Sequence, residues 1–287
     1  MKILNLIFTL ITAFVISFSF TAQSETTIYA THDSTSGSYV DYMKTVYARA
    51  GKPEIMMLSL TSFDKEFELN GLAAKSWSQS DDGLTWTFNL RDNLKWSDGE
   101  TLKASDYIFA LKRAATTGYD FGWYWSFAGG LKNWGPVTDG SMDVDQLGIK
   151  AVDDKTIEVT TETVKPYLPS VVSLWYPVPE HAWKIHGDEY AANVDTMVAS
   201  GPFMLKSWEK STNKMVLVKN PNYNAPWPSM VDTLVVDPTI GPPEVGFPAY
   251  LSGEADMTTL NAGQIPYAEQ RYAENLRTNA IFAISYI

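Results

Sequence analysis

The chain has 287 residues, a net charge of −11 at neutral pH and no cysteine. The acidic balance disfavours nucleic acid and anionic membrane surfaces as partners. The absent thiols exclude disulfides, a lipid-bearing cysteine and a cysteine nucleophile, so stability has to come from burial.

Lys2 precedes an apolar run over residues 3–20, and the small residues Ala22 and Ser24 follow it. A basic start, an apolar middle and a small-residue exit predict a secretory signal peptide at 1–24, cut after Ser24. The run of about 18 residues approaches the roughly 20 that span a bilayer, but no basic stop-transfer cluster follows it. Residues 26–30 then read as a short strand, and the Ser/Gly-rich stretch 34–38 as a polar loop.

The segment 77–113 is the most legible. Turn chemistry at 80–83 is followed by Leu84, Trp86, Phe88 and Leu90 alternating with Thr85, Thr87, Asn89 and Arg91, the period of a half-buried strand. Further turns fall at 91–93 and 97–99. From Ala104 the period changes: Tyr107, Ile108, Leu111, Ala114 and Ala115 share one helical face, with Lys112 and Arg113 near the C-terminal end, where the helix dipole favours cations.

Residues 116–136 hold seven aromatic side chains among Gly118, Gly122, Gly129 and Gly130 and fit neither period. Beyond them, 155–159 alternates as a strand, Pro179 and Gly187 bracket a short helix, 203–208 and 214–218 form a hairpin, and 231–236 is another strand. The sequence ends in an apolar run at 280–287 without a polar tail.

Chemistry in the catalytic sense is sparse. His181 and His186 stand about 140° apart around a helix and do not share a face, so a solvent-facing role is expected for them rather than metal ligation. Asp143, Asp145 and Asp154 imitate the spacing of a calcium loop, but Leu147 occupies a ligand position and the stretch reads as a turn. The Asp pairs at 81–82 and 153–154 read as turn and strand-edge residues, since neighbours on a strand point to opposite faces. No acid, base and nucleophile constellation is visible, and no cofactor is expected. The candidate ligand-contacting residues are Trp123, Tyr124 and Trp125. On a glycine-punctuated loop they can present flat apolar faces with a phenol for polar contact, although closing a core is an equally good use of them.

Several stretches resemble, in order, the motifs of the bacterial extracellular solute-binding proteins of family 5, the oligopeptide- and dipeptide-binding type. They are GLAAKSW at 71–77, SDDGLTWTFNLR at 80–91, KWSDGE at 95–100, SGPFMLKSW at 200–208, VKNPNY at 218–223 and GEAD at 253–256. The resemblance implies a mixed α/β, periplasmic-binding-protein-like class II fold. In it, 25–56 and 181–287 form an incomplete first lobe, 57–180 an inserted accessory domain, and the second lobe is missing because family members continue well past this length. It also implies a periplasmic, monomeric, non-enzymatic protein that captures oligopeptides by hinge closure for an inner-membrane ABC permease. A Tyr of the accessory domain, Tyr119 or Tyr124, would line the cleft, with Ser36, Ser38 and Asn261 on bordering loops. The same fold hosts other cargoes, such as nickel, haem, a sugar or an opine, and a non-binding remnant is the remaining alternative. Two departures stand out: Lys103 occupies the position of a helix-capping Thr and cannot accept backbone N–H bonds, and the early loop lacks the usual Leu-Asp-Pro.

Overall fold

The computed structural model describes residues 26–31 and 37–277. The predicted signal peptide, Ser36 and the apolar run at 280–287 lie outside the described residues.

The strands are β1 (Thr27–Thr31), β2 (Thr61–Phe63), β3 (Leu69–Gly71), β4 (Ala74–Gln79), β5 (Thr85–Leu90), β6 (Ile149–Asp153), β7 (Thr156–Thr160), β8 (Phe203–Glu209), β9 (Lys214–Lys219) and β10 (Thr233–Asp237). The helices are α1 (Pro53–Met56), α2 (Ala104–Thr116), α3 (Trp134–Thr138), α4 (Leu168–Val171), α5 (Glu180–His186), α6 (Pro243–Ser252) and α7 (Ile265–Tyr272). Two four-stranded sheets result, in the orders β1-β10-β9-β8 and β4-β5-β7-β6, with β2 and β3 as a separate pair. Among the described strands, β1 and β10 pair in parallel, with Thr27 opposite Thr233.

The alternation read in the sequence is the reason β5 sits inside its sheet. Trp86, Phe88 and Leu90 are buried, and Phe88 lies opposite both Trp77 of β4 and Ile157 of β7. Such cross-strand apolar pairs stabilise a sheet by roughly 0.2–1 kcal/mol each. Over this sheet lies α2, with Tyr107, Ile108, Leu111, Ala114 and Ala115 all buried, as the helical period requires.

Lys103 leaves the first turn of α2 without a side-chain acceptor, and Asp106 compensates from inside the helix. Its Oδ2 accepts Lys103 N–H at 2.9 Å and Trp96 Nε1–H at 3.2 Å, half of a capping box. Burial nevertheless raises the Asp106 carboxyl above its ordinary range, partly opposed by those bonds. At the other end Arg113 does more than complement the dipole: its side chain is buried and meets the buried Asp41 carboxylate at 2.5 Å, tying the segment after β1 to α2.

Trp96, Trp125, Trp175 and Tyr107 are fully buried. Tyr107 donates its hydroxyl to Leu58 O at 2.6 Å and Trp175 donates to Tyr107 O at 2.9 Å, so these two rings bury area without stranding their polar ends. Gly201 is required for a different reason. A Cβ there would stand 2.5 Å from Ile55 O, and this close approach lets Gly201 N–H reach Met56 O at 2.8 Å before β8 begins.

Two local expectations change, those for the aromatic tract and for His181, while the calcium-like stretch keeps its reading as a turn. The tract without a period contains a π-type turn over Tyr124–Gly129 and then α3. The wide turn answers to no 3.6-residue pattern, which is why it was invisible. The calcium-like stretch is a short 3₁₀ turn at Val144–Gln146 running into β6, with Asp145 paired to Lys112 at 2.6 Å. His181, half-buried, is engaged by Asp98 at 2.7 Å rather than left to solvent.

Candidate ligand-binding site

The aromatic tract meets the segment 41–49 along a seam of side chains. After α2 ends, Thr117 donates its hydroxyl to Arg113 O at 2.9 Å, and Gly118 turns the chain at φ 70°. Tyr119 then points inward, donating to Tyr42 O at 3.0 Å; burial raises its phenol far above the ordinary range. Phe121 is the hub. Its ring stacks on Tyr124 at 4.9 Å and meets Trp123 edge-on at 4.9 Å, Tyr47 at 6.0 Å and Tyr42 at 6.4 Å. Aromatic pairs in these geometries are worth roughly 0.5–1.5 kcal/mol beyond their burial.

On the outside of the seam lie Trp123, 54% exposed, and Tyr47, 61% exposed. Trp123 Nε1 donates to the Tyr47 hydroxyl at 3.1 Å, so the two rings form one braced ledge. Tyr124 is half-buried behind it and donates to Val171 O at 3.0 Å; burial pushes its phenol up to about 12, so it stays a neutral donor. The π-type turn ends at Gly130, whose φ of 56° suits glycine and whose missing side chain leaves room for the Lys165 stem, 2.4 Å from where a Cβ would sit. Lys165 donates in turn to Phe127 O and to the Tyr167 hydroxyl, both at 3.2 Å.

Of the sequence-derived candidates, the structure brings Tyr119, Trp123, Tyr124 and Trp125 together, but they differ in access. Trp125 is 1% exposed, packs on Trp175 at 5.9 Å, and leaves Nε1 without a partner. Tyr119 is buried as well, so neither ring presents a face to solvent. Ser38 is exposed and its carbonyl accepts from Lys210 at 3.3 Å. Asn261 bonds to Glu244 at 2.9 Å and accepts Gln264 N–H at 3.1 Å, ordering the start of α7. Tyr47, Phe121 and Asp120 are the residues that sequence reasoning passed over. The available signal was the cluster Tyr39, Tyr42 and Tyr47 in a segment without an apolar period.

Chemically the seam offers flat faces, phenol hydroxyls and backbone, together with the ion pair of Arg49 and Glu54 at 3.6 Å. Among the described residues no group of three or more His, Asp or Glu could hold a metal ion. A second, apolar groove of about 610 Å³ lies along α6 and α7, lined by Phe247, Tyr250, Met257 and Tyr272 among others. Among the described residues no helix is long and apolar enough to cross a membrane.

Comparison with known proteins gives a consistent result. Among curated proteins the chain is 33% identical over 226 residues to the "Probable deoxycholate-binding periplasmic protein YgiS" of Escherichia coli, covering 76% of this chain and 41% of that one. It is 32% identical over 220 residues to the dipeptide-binding protein of Lactococcus lactis, covering 74% and 39%. Among solved structures it resembles the substrate-binding domain of an oligopeptide ABC transporter from Bacillus anthracis, with TM-score 0.75, 29% identity and coverage of 87% of this chain and 48% of that one. Peptide-bound OppA of Listeria monocytogenes gives TM-score 0.74 and 26% identity, with coverage of 87% and 49%. The chain thus spans about half the length of the solved structures it matches. The mixed α/β architecture is that of periplasmic-binding-protein-like oligopeptide binders. Residues 68–287 match the family model described as "Bacterial extracellular solute-binding proteins, family 5 Middle", and the chain belongs to that family.

Proposed function

We propose that the chain is part of the substrate-binding component of an ABC importer, capturing short peptides outside the inner membrane without chemistry of its own. The observation that carries this reading is the exposed ledge of Tyr47 and Trp123 backed by Phe121. A braced, exposed aromatic face of this kind receives an apolar side chain at little entropic cost, while main-chain bonds and water grip an extended peptide. The names of the dipeptide-binding and oligopeptide-binding relatives support peptide as the cargo. In this reading residues 1–24 direct export, residues 57–180 form an accessory domain, and the region drawn from 25–56 and 181–287 is a lobe that acts with a permease. Trp123 and Tyr124 contact ligand, Tyr119 and Trp125 support them from the core, and Ser36, Ser38 and Asn261 border the same cleft.

The kinship with a deoxycholate-named relative favours one other cargo class, an amphipathic steroid. The apolar groove along α6 and α7 would suit its ring system. Isothermal titration of the purified chain with a tripeptide pool and, separately, with deoxycholate decides between them. Heat with tripeptides is expected; heat with deoxycholate alone, or with neither, would contradict the peptide reading.

A further inference from the structure

One carboxylate holds the segment that carries Tyr47. Asp120, on the exposed turn between α2 and the π-type turn, accepts three bonds from residues more than seventy positions earlier in the chain. Thr45 donates its hydroxyl to Oδ2 at 2.6 Å, Val46 its N–H to Oδ1 at 2.9 Å and Tyr47 its N–H to Oδ2 at 3.2 Å. An ionised carboxylate is acceptor-only, and bonds to it are stronger than neutral ones. Thr45 passes the order on, its hydroxyl oxygen accepting Ala48 N–H at 3.0 Å. Three residues beyond Asp120, Trp123 closes a loop of contacts by donating to the Tyr47 hydroxyl. The Phe121 ring lies inside that loop, between Tyr47 and Trp123.

We propose that Asp120 is a positioning residue: by fixing the backbone of residues 45–47 it sets the Tyr47 phenol against the Trp123 indole, and with it the spacing of the ledge that takes an apolar or planar ligand group. Its significance for ligand rests on the binding function proposed above; the positioning itself does not. Asp120 is exposed, so its removal should leave the core standing. The bonds it makes are local backbone restraints, and their loss is read locally.

The test compares wild type, Asp120→Ala, Asp120→Asn and Tyr47→Phe. In Asp120→Ala, amide hydrogen exchange at Val46 and Tyr47 should quicken about tenfold, the effect of losing a bond of typical net strength. The melting temperature should be little changed. Asp120→Asn, which keeps one acceptor oxygen, should fall between. Trp123 emission, obtained by difference from Trp123→Phe, should move in Asp120→Ala in the same direction as in Tyr47→Phe. Unchanged exchange, or faster exchange with unmoved Trp123 emission, would overturn the proposal. The probe Ala-Phe-Ala adds a binding arm. If wild type binds it, Asp120→Ala should bind about tenfold more weakly, and equal binding would overturn the proposal. If wild type does not bind it while exchange and emission respond as stated, the peptide reading fails and the positioning role stands.

Discussion

Trp123 and Trp125 stand two positions apart and have opposite environments. Trp123 is 54% exposed and braced through its Nε1, whereas Trp125 is 1% exposed and packed on Trp175. Their truncations should therefore separate function from stability. Trp123→Ala should weaken peptide binding by about 1–3 kcal/mol, the range of an interfacial aromatic anchor, with little change in unfolding midpoint. Trp125→Ala should cost about 3–5 kcal/mol of stability, as for a large core side chain. Titration calorimetry and denaturant unfolding on both variants check this, and a stability loss in Trp123→Ala equal to that in Trp125→Ala would contradict the assignment. At this scale the sequence was half legible. Residue type and glycine spacing marked out the tract, but inward and outward rings in a π-type turn follow no 3.6-residue or two-residue period. Tyr47 was not legible because its backbone, and that of Val46, bonds to the carboxylate of Asp120, which is distant in sequence.

Among the elements, α2 joins several parts of the structure. It packs against β6 of the sheet, meets the segment before β2 through the Tyr107 hydroxyl, and meets residue 41 through Arg113. Its first turn depends on Asp106, whose carboxyl is raised above the ordinary range because burial disfavours its charged form. In the unfolded chain that carboxyl ionises near pH 3.9. As pH rises above this value the unfolded state releases the proton while the folded state retains it. The contribution of Asp106 to stability is therefore greatest in acid and declines toward neutral pH, until the folded form ionises too. Asp106→Asn cannot titrate, so the stability of the variant minus that of wild type should increase as pH rises from about 4 toward neutrality. Urea unfolding across that range measures it; a difference independent of pH would contradict the account. The helix face, the strand β5 and the hairpin of β8 and β9 were readable from periodicity. The substitute for the missing cap was not, because it comes from the third helical residue and the Trp96 indole rather than from position 103.

At the scale of the molecule, the ordered motifs between residues 71 and 256 led to the fold class, and three of them have a plain physical use. The turn at 80–83 sets the register of β4 and β5, the KWSDGE stretch buries Trp96, and Gly201 permits the close pass of 200–202 beside 55–57. What motif order does not carry is long-range pairing. The parallel contact of β1 with β10 joins residues about two hundred apart, and nothing local in residues 27–31 specifies its partner. The seam between 41–49 and 117–130 is long-range in the same way, which is why the candidate site was only partly foreseen. The proposed function puts ligand on this seam. Photo-crosslinking with a tripeptide carrying a central benzoylphenylalanine, followed by mass-spectrometric mapping, tests it most directly. Adducts within 42–49 and 119–127, suppressed by excess unlabelled tripeptide, are the predicted result; suppressible adducts confined to α6 and α7 would contradict it.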